Sequence, residues 1–479
     1  MLRDKQKKLS QLLLSFLILT LSIVHTPLRA DLTSLAKNDA LPMFTTLNVD
    51  DALLLTKEQL TYKDYDWAEK KHDHFSFSLS PFAQNADRGK TIKGQTCPSV
   101  VDSCGLTLTD TPLGDLTGRT GMIALVYGAV PAGKTLAPKL VAAKNVLFPG
   151  QTNTAINNEG DIDPKQLFGY FSFPLKYRKR GVAFQMAARF AKNFGLYVQT
   201  RVSTIRQVRQ DTLDLTGTPA DTFEPVTPTV KKDDVQQYLM DELCTIANEI
   251  GINLCDFVKT SMEEVRFNLF WRQAFEMNQD ADSDWAKFLL IPYVQAGASV
   301  SPGAKDNDHK FFATPFGNNT HPSCGFTTGL NIDFLETIEI GGEIGYTHFF
   351  KKNFCMPIPN SKFQTNLFPF STEVDVSPGD NWHFGARIAA YHFVDKLSMY
   401  FEWFVLDHQK DSICLVNPDP AFLPEVLECT TSFKTKLGNA GFNYDLSPNV
   451  GVGFLWQIPF SQRNSYRSST IMAGFNVTF

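Results

Sequence analysis

The stretch NVGVGFLWQIPFSQRNSYRSSTIMAGFNVTF, residues 449–479, decides how the rest of the chain is read. From Val450 the even positions are Val450, Val452, Phe454, Trp456, Ile458 and Phe460, with Gly451, Gly453, Gln457 and Pro459 between them. After a polar break at 461–467 the apolar set moves to odd positions: Ile471, Ala473, Phe475, Val477 and Phe479, alternating with Gly474, Asn476 and Thr478. A period of two places every apolar side chain on one face of each strand and the small or polar ones on the other. A soluble sheet would cover its apolar face with a second layer, and nothing after Phe479 could supply one here. Lipid is the expected cover.

The amino terminus agrees with export. Arg3, Lys5, Lys7 and Lys8 precede an apolar run from Leu12 to Val24, followed by His25 to Ala30. A charged region, a short apolar core and a small residue at the end form a secretory leader, with cleavage expected after Ala30. The apolar core is too short to cross a bilayer of ~30 Å as a helix. Nowhere else do eighteen uncharged apolar residues occur in a row, and mean hydropathy is −0.16. Both exclude a helical membrane protein and leave a strand-built one open. Without the leader, forty cations face forty-nine anions, a net charge of −9 that argues against nucleic acid as a partner. The forty Phe residues suit a lipid-facing wall with aromatic girdles.

The ending described above resembles the last hairpin of Gram-negative outer-membrane β-barrels, porins among them, whose amphipathic final strand closes on a terminal Phe. The resemblance implies an all-β fold, a transmembrane antiparallel up-and-down barrel in the outer membrane. It also implies contact with outer-membrane lipid, and assembly machinery that reads the last strand through Phe475 and Phe479.

Further strands are expected at 74–82, 121–129, 166–176, 181–191, 194–205, 263–275 and 285–299. They continue at 324–334, 337–350, 381–393, 397–409, 433–445, 449–460 and 468–479. That makes fourteen, or twelve if 121–129 and a neighbour are not strands. Pro292 is an awkward residue inside the strand at 285–299. The connections at 335–336, 394–396 and 446–448 are tight, whereas 300–323, 351–380 and 410–432 are long, an asymmetry typical of such barrels. With the last strand ending in the periplasm, alternation sends the loops at 83–120, 206–262, 300–323, 351–380 and 410–432 outside. The insertion at 206–262 should carry a short helix between Asp233 and Gly251. The domains expected are a leader (1–30), a periplasmic or lumenal plug segment (31–72) and the barrel (73–479).

Eight cysteines fall in successive pairs at the external loops: Cys97 with Cys104, Cys244 with Cys255, Cys324 with Cys355 and Cys414 with Cys429. In an exported chain that spacing reads as disulfides. No Cys-x-x-Cys and no helical His pair occurs, so no metal or other cofactor is expected.

Inward-facing positions carry the functional candidates. One wall holds Arg189, Arg201, Arg266 and Arg272; the other holds Asp333, Glu339, Glu343 and Glu402, with Arg387 diagonal to Glu402. Opposed rows of charge across a water-filled lumen would set up a transverse field that sorts solutes, as in general porins. The expectation is a passive channel for small hydrophilic solutes, as a monomer or a homo-oligomer. Two alternatives remain: a surface structural or adhesin barrel closed by internal ion pairs, or a plugged transporter of hydrophobic substrates. No enzyme is expected, since no Ser or Asp pairs with a histidine by strand geometry, and His383 is the one interior candidate. Gly128 to Thr135 matches the phosphate-loop pattern G-x-x-x-x-G-K-[ST]. Pro138 interrupts any following helix and no βαβ succession follows, so the match reads as accidental.

Overall fold

The structure is a computed structural model. It describes residues 75–90, 111–116, 120–147, 170–191, 193–210, 213–214, 238, 241–277, 288–301, 311–334, 337–394, 396–447 and 449–479. The leader, the 31–72 segment, Cys97 and Cys104 lie outside these residues.

Twelve antiparallel strands close into a barrel, each bonded to its neighbours in sequence. They are β1 (Phe75–Ala86), β2 (Leu175–Ala191), β3 (Phe194–Arg209) and β4, a strand in three pieces (Phe257–Met262, Val265–Arg272 and Phe275–Met277). Then come β5 (Phe288–Val300), β6 (Ser323–Phe334), β7 (Ile338–Phe349) and β8 (Asn381–Val394). The ring is completed by β9 (Leu397–His408), β10 (Phe433–Ser447), β11 (Val450–Arg463) and β12 (Ser469–Thr478). β12 pairs with β1 from Ser76↔Thr478 to Asn85↔Ser469, so the sheet meets itself and has no free edge. The Phe479 amide donates to the Phe75 carbonyl at 2.8 Å and the two rings lie 6.2 Å apart. With a strand spacing of ~4.8 Å and a tilt of ~40°, a twelve-stranded ring is about 24 Å across between opposite backbones.

The alternation read from the sequence is what forms this wall. On β2 the outward residues Met186 and Phe190 are 44 % and 66 % exposed while Ala183, Gln185 and Ala187, on the alternate positions, are buried. On β7 Ile338, Ile340 and Ile344 face out and Glu339 and Glu343 face in. A band of exposed Phe, Ile, Leu, Trp and Val surrounds the barrel. Such a surface is stable only against hydrocarbon, and the closed ladder leaves no strand edge to desolvate. This is a barrel of the outer-membrane type.

Twelve strands, not fourteen, is the correct count, for a physical reason. Met122 and residues 124–127 are apolar without a period because they are buried: Met122, Ala124, Leu125, Val126 and Tyr127 are at most 5 % exposed, in and around a short 3-10 turn (Ile123–Val126). Tyr170–Ser172 belongs to a small sheet with Thr120–Gly121 and Leu213–Asp214, and Pro174 separates it from β2. Pro292 pairs with Leu330 on one side; on the other it faces the gap between two pieces of β4, where no donor is required of it.

The turns after β2, β6, β8 and β10 lie at the end where β1 starts and β12 finishes, and the long connections lie at the other. Those connections build a cap. Helix α1 (Pro138–Leu147) packs on α2 (Leu243–Glu249), the helix expected in the 206–262 insertion, with Lys139 Nζ 2.8 Å from Glu242. Their apolar core continues into the barrel's mouth through the inward-facing Ala86, Leu175, Tyr177, Ile205 and Phe257. A second core lies under a three-stranded sheet (Lys352–Ile358, Phe370–Ser377, Ser412–Leu415) and α3 (Pro424–Glu428).

Amides tie the loops of the cap together across the sequence. Asn360 Nδ2 donates to the carbonyls of Tyr127 (3.3 Å) and Ala129 (2.9 Å), and Gln364 Nε2 to that of Ala124 (3.2 Å). Gly128 has φ +93° and lies so close beneath the Asn360 carbonyl that a Cβ would stand 2.0 Å from it. The Ala132 amide donates to Asp419 at 3.0 Å, and amides of Ala421 and Ala132 hold that carboxyl below its ordinary pKa. In the phosphate-loop pattern such amides would face a ligand; here one is taken by a carboxylate, and α1 starts only at Pro138.

Three expected disulfides are corrected. Cys244, Cys255, Cys324, Cys355 and Cys414 are free thiols, so the pairs 244–255, 324–355 and 414–429 are not formed. Strand register explains the second: Cys324 faces outward on β6 opposite His348, away from the cap that holds Cys355. Cys429 is disulfide-bonded, but not to Cys414, which is free.

Candidate functional site

Every strand sends alternate residues into the lumen, and there the sequence-predicted charges meet. Arg201, Arg266, Asp333, Glu339, Glu343, Arg387 and Glu402 are all at most 7 % exposed, and the Arg272 side chain is 11 % exposed. Arg189 is in register opposite Gly195 on β3, but its side chain lies outside the described residues. Arg387 is the direct, not the diagonal, partner of Glu402.

The basic and acidic walls meet directly at Arg272 and Glu339. Arg272 on β4 reaches past β5 and β6 to Glu339 on β7, Nη2 to Oε2 3.7 Å. The Tyr391 hydroxyl donates to Glu339 (3.2 Å) and accepts from Arg387 Nη2 (3.2 Å). Arg387 Nη1 is 3.9 Å from Glu402, which accepts from Asn439 (3.1 Å). Asn439 accepts from Gln457 (3.2 Å), and Gln457 accepts from Thr470 (3.2 Å). One chain of polar contacts thus runs from β4 to β12. A charge removed from water needs an opposite charge and hydrogen bonds to be tolerable; this chain brings each charge an opposite one, while Arg387 Nε and Glu339 Oε2 are left without a hydrogen bond from the protein.

A second cluster stands nearer the loop-side mouth. Between the first two pieces of β4 the alternation breaks, and Glu263 and Glu264 both point inward, 1 % and 3 % exposed. Lys179 Nζ is 2.7 Å from Glu263, Ser203 donates to the same carboxylate at 2.6 Å, and Arg201 is 3.6 Å away. Arg266 donates to Glu264 through Nε (2.9 Å) and Nη2. His383 is fully buried against Glu343 (3.7 Å) and Thr327 (3.3 Å), and Tyr293 donates to Glu343 at 3.0 Å.

Reading the sequence missed Glu263, Glu264 and Lys179. Two adjacent acids cannot both obey a period of two, so a strand starting at 263 hides the bulge. Lys179 fell between two expected strands because KYRKR (176–180) carries charge on both faces and so shows no apolar alternation.

Aromatic rings fill much of the remaining width, seated on inward glycines. Tyr293 covers Gly329, Tyr400 covers Gly441 and Phe270 covers Gly195; in each case a Cβ on the glycine would meet the ring at 2.3 to 2.5 Å. A gap with room for about one water remains, lined by Ser78, Ser80, Ala183, Phe184, Gln185, Gln199 and Thr200.

No family model matches the chain, and no curated protein does. Among solved structures, an outer membrane channel from Pseudomonas putida F1 is similar at 6% identity and a TM-score of 0.42, over 86% of this chain and 97% of that one. The translocator domain of the autotransporter NalP from Neisseria meningitidis follows at 7% identity and 0.31, over 90% and 98%. The CymD monoaromatic hydrocarbon channel aligns at 8% and 0.29, over 93% and 97%. Similarity at this level carries no argument about what this barrel does.

Proposed function

We propose that the protein is an outer-membrane channel for small hydrophilic solutes and that the conformation described is its closed state. It reaches that membrane after removal of the leader at Ala30. The observation that carries this reading is the inner wall. Ser76, Ser78, Ser80 and Gln84 on β1, Gln185 on β2, Gln199 and Gln207 on β3, and Thr470 and Asn476 on β12 make a polar face along the barrel. Apolar residues would fill a purely structural barrel at no loss of stability, since replacing buried ion pairs with packed hydrophobes is often neutral or better. Polar atoms of Asn268, Gln295, Asn331 and Asn476 find no partner in the protein, and buried groups of this kind are ordinarily met by water or a bound solute.

Closure comes from the cap and from the side-chain chain across the lumen. Conductance of the refolded full-length chain in planar bilayers tests the reading, beside Asn360→Ala/Gln364→Ala, which cuts the amide ties inside the cap. Occasional openings in the parent and more frequent ones in the variant are expected. Silence from both, at all voltages, would refute the channel. It would also favour a closed structural barrel, the reading supported by the unbroken contacts from Arg272 to Thr470.

A further inference from the structure

The outward face of the barrel has a feature that solute passage does not use. Lys176, Arg178 and Arg180 on β2 and Arg206 on β3 are exposed and point away from the lumen. Directly below them on β2 come Val182, Phe184, Met186, Ala188 and Phe190, all on the lipid face. From Arg180 to Phe190 at ~3.3 Å per residue and a tilt of ~40° is about 25 Å, the height of a barrel's apolar band. Arg180 therefore stands at the loop-side hydrocarbon boundary, with Arg178, Arg206 and Lys176 at headgroup height.

Cross-strand neighbours make the cluster more telling. Arg178 is paired directly with Arg206, a like-charge juxtaposition that destabilises a sheet unless an anion lies between the two. The other partners are neutral: Asn85 beside Arg178, Ala83 and Thr204 beside Arg180, Val258 beside Arg206 and Val208 beside Lys176. Thr204 and Thr260 satisfy each other at 2.7 Å. The acids at the strand ends, Asp87 and Asp256, form no ion pair with any of the four, and Asp256 accepts the Arg209 amide at 3.0 Å. Elsewhere on the same rim the fold does pair its charges, as at Lys434 and Asp407, 2.7 Å apart.

We propose that Lys176, Arg178, Arg180 and Arg206 form a docking site for the phosphorylated headgroup of a lipid in the loop-side leaflet. The Arg178–Arg206 pair clamps a phosphate between two guanidinium forks, and the acyl chains lie along Val182, Phe184 and Met186. Guanidinium suits the task because its planar donors match phosphate oxygens two at a time. Basic residues at a membrane surface also add attraction to anionic lipid. The site rests on the lipid-facing reading of the wall and is independent of whether the lumen conducts.

The test uses the full-length protein in neutral detergent, with folding of each variant checked by heat-modifiable gel mobility. Diphosphoryl lipid A, its dephosphorylated form and inorganic phosphate are titrated against the parent, Arg178→Gln/Arg206→Gln and Arg178→Lys/Arg206→Lys. Lipid A should bind the parent at least tenfold more tightly than the Gln variant, with the Lys variant between them and the dephosphorylated lipid weak on all three. In plain detergent, Arg206→Gln should melt no lower than the parent, because it removes a repulsion. Equal binding of lipid A by parent and Gln variant would overturn the proposal, as would equal binding of the dephosphorylated lipid. So would binding of inorganic phosphate as tight as that of lipid A, or a lower melting temperature of Arg206→Gln without lipid.

Discussion

The Arg387–Glu402 contact tests how dry the closed lumen is. The two groups are 3.9 Å apart, and their side chains are 1 % and 3 % exposed. At that separation two unit charges attract by about 4 kcal/mol at an effective dielectric of about 20 and by about 1 kcal/mol in bulk water. Arg387→Met leaves Glu402 held by Asn439 alone of its two partners, and Tyr391 loses a donor. It also removes the guanidinium from above the Tyr400 ring, 5.3 Å from its centroid. Breaking one side of a buried pair costs about 3–5 kcal/mol, whereas Arg387→Met/Glu402→Gln, which removes both charges, should recover most of that loss. The assay is reversible urea unfolding in lipid vesicles, with both single variants and the double, so that the coupling energy comes from a complete cycle. A coupling of 2 kcal/mol or more is expected. Single-variant losses below about 1 kcal/mol with negligible coupling would mean that water bathes these charges, and the account of a packed, closed lumen would be wrong.

Acidification should loosen the cap through His321. This side chain is fully buried, its Nδ1 lies 2.9 Å from the Phe350 carbonyl, and burial pushes its pKa down to about 4. The folded form stays neutral while the unfolded chain takes up a proton below its ordinary value of about 6.5. Stability is therefore lost as pH falls from about 6.5 to about 4 and loses nothing further below, for a total of about 3 kcal/mol. His321→Gln should flatten the melting temperature over that interval; an unchanged slope would exonerate the histidine. Gly441→Val would drive a Cβ to 2.5 Å from the Tyr400 ring, and a loss of about 1–3 kcal/mol is expected in the same urea assay. Cys244, Cys255 and Cys414 are exposed free thiols, so a maleimide should label all three in the folded, unreduced protein. Labelling that appears only after reduction would restore the disulfides.

How much of this was legible in the sequence follows from where each residue's neighbours lie. The strands from β6 to β12 stand out because lipid on one face and lumen on the other impose a period of two. Cap segments such as 124–127 meet protein on all sides, so their apolar run has no period and imitates a buried strand. The inward direction of Arg266, Glu339 and Glu402 follows from parity alone. That Arg272 would reach Glu339 does not, because it depends on the width of the lumen and so on a strand count left at twelve or fourteen. Glu263 and Glu264 were hidden by the bulge that makes them useful.

The pairing of β12 with β1 also sets an order of events in time. The first strand of the ring must wait for the last one to emerge, since Ser76 and Thr478 are 402 positions apart in the chain. Until that seam zips, both margins are raw and can accept strands from other chains. So distant a contact is slow to form, and the wait is long. Trimming the final strand would thus yield a chain that never stops seeking a mate, and its visible symptom would be aggregation, well before any drop in melting temperature.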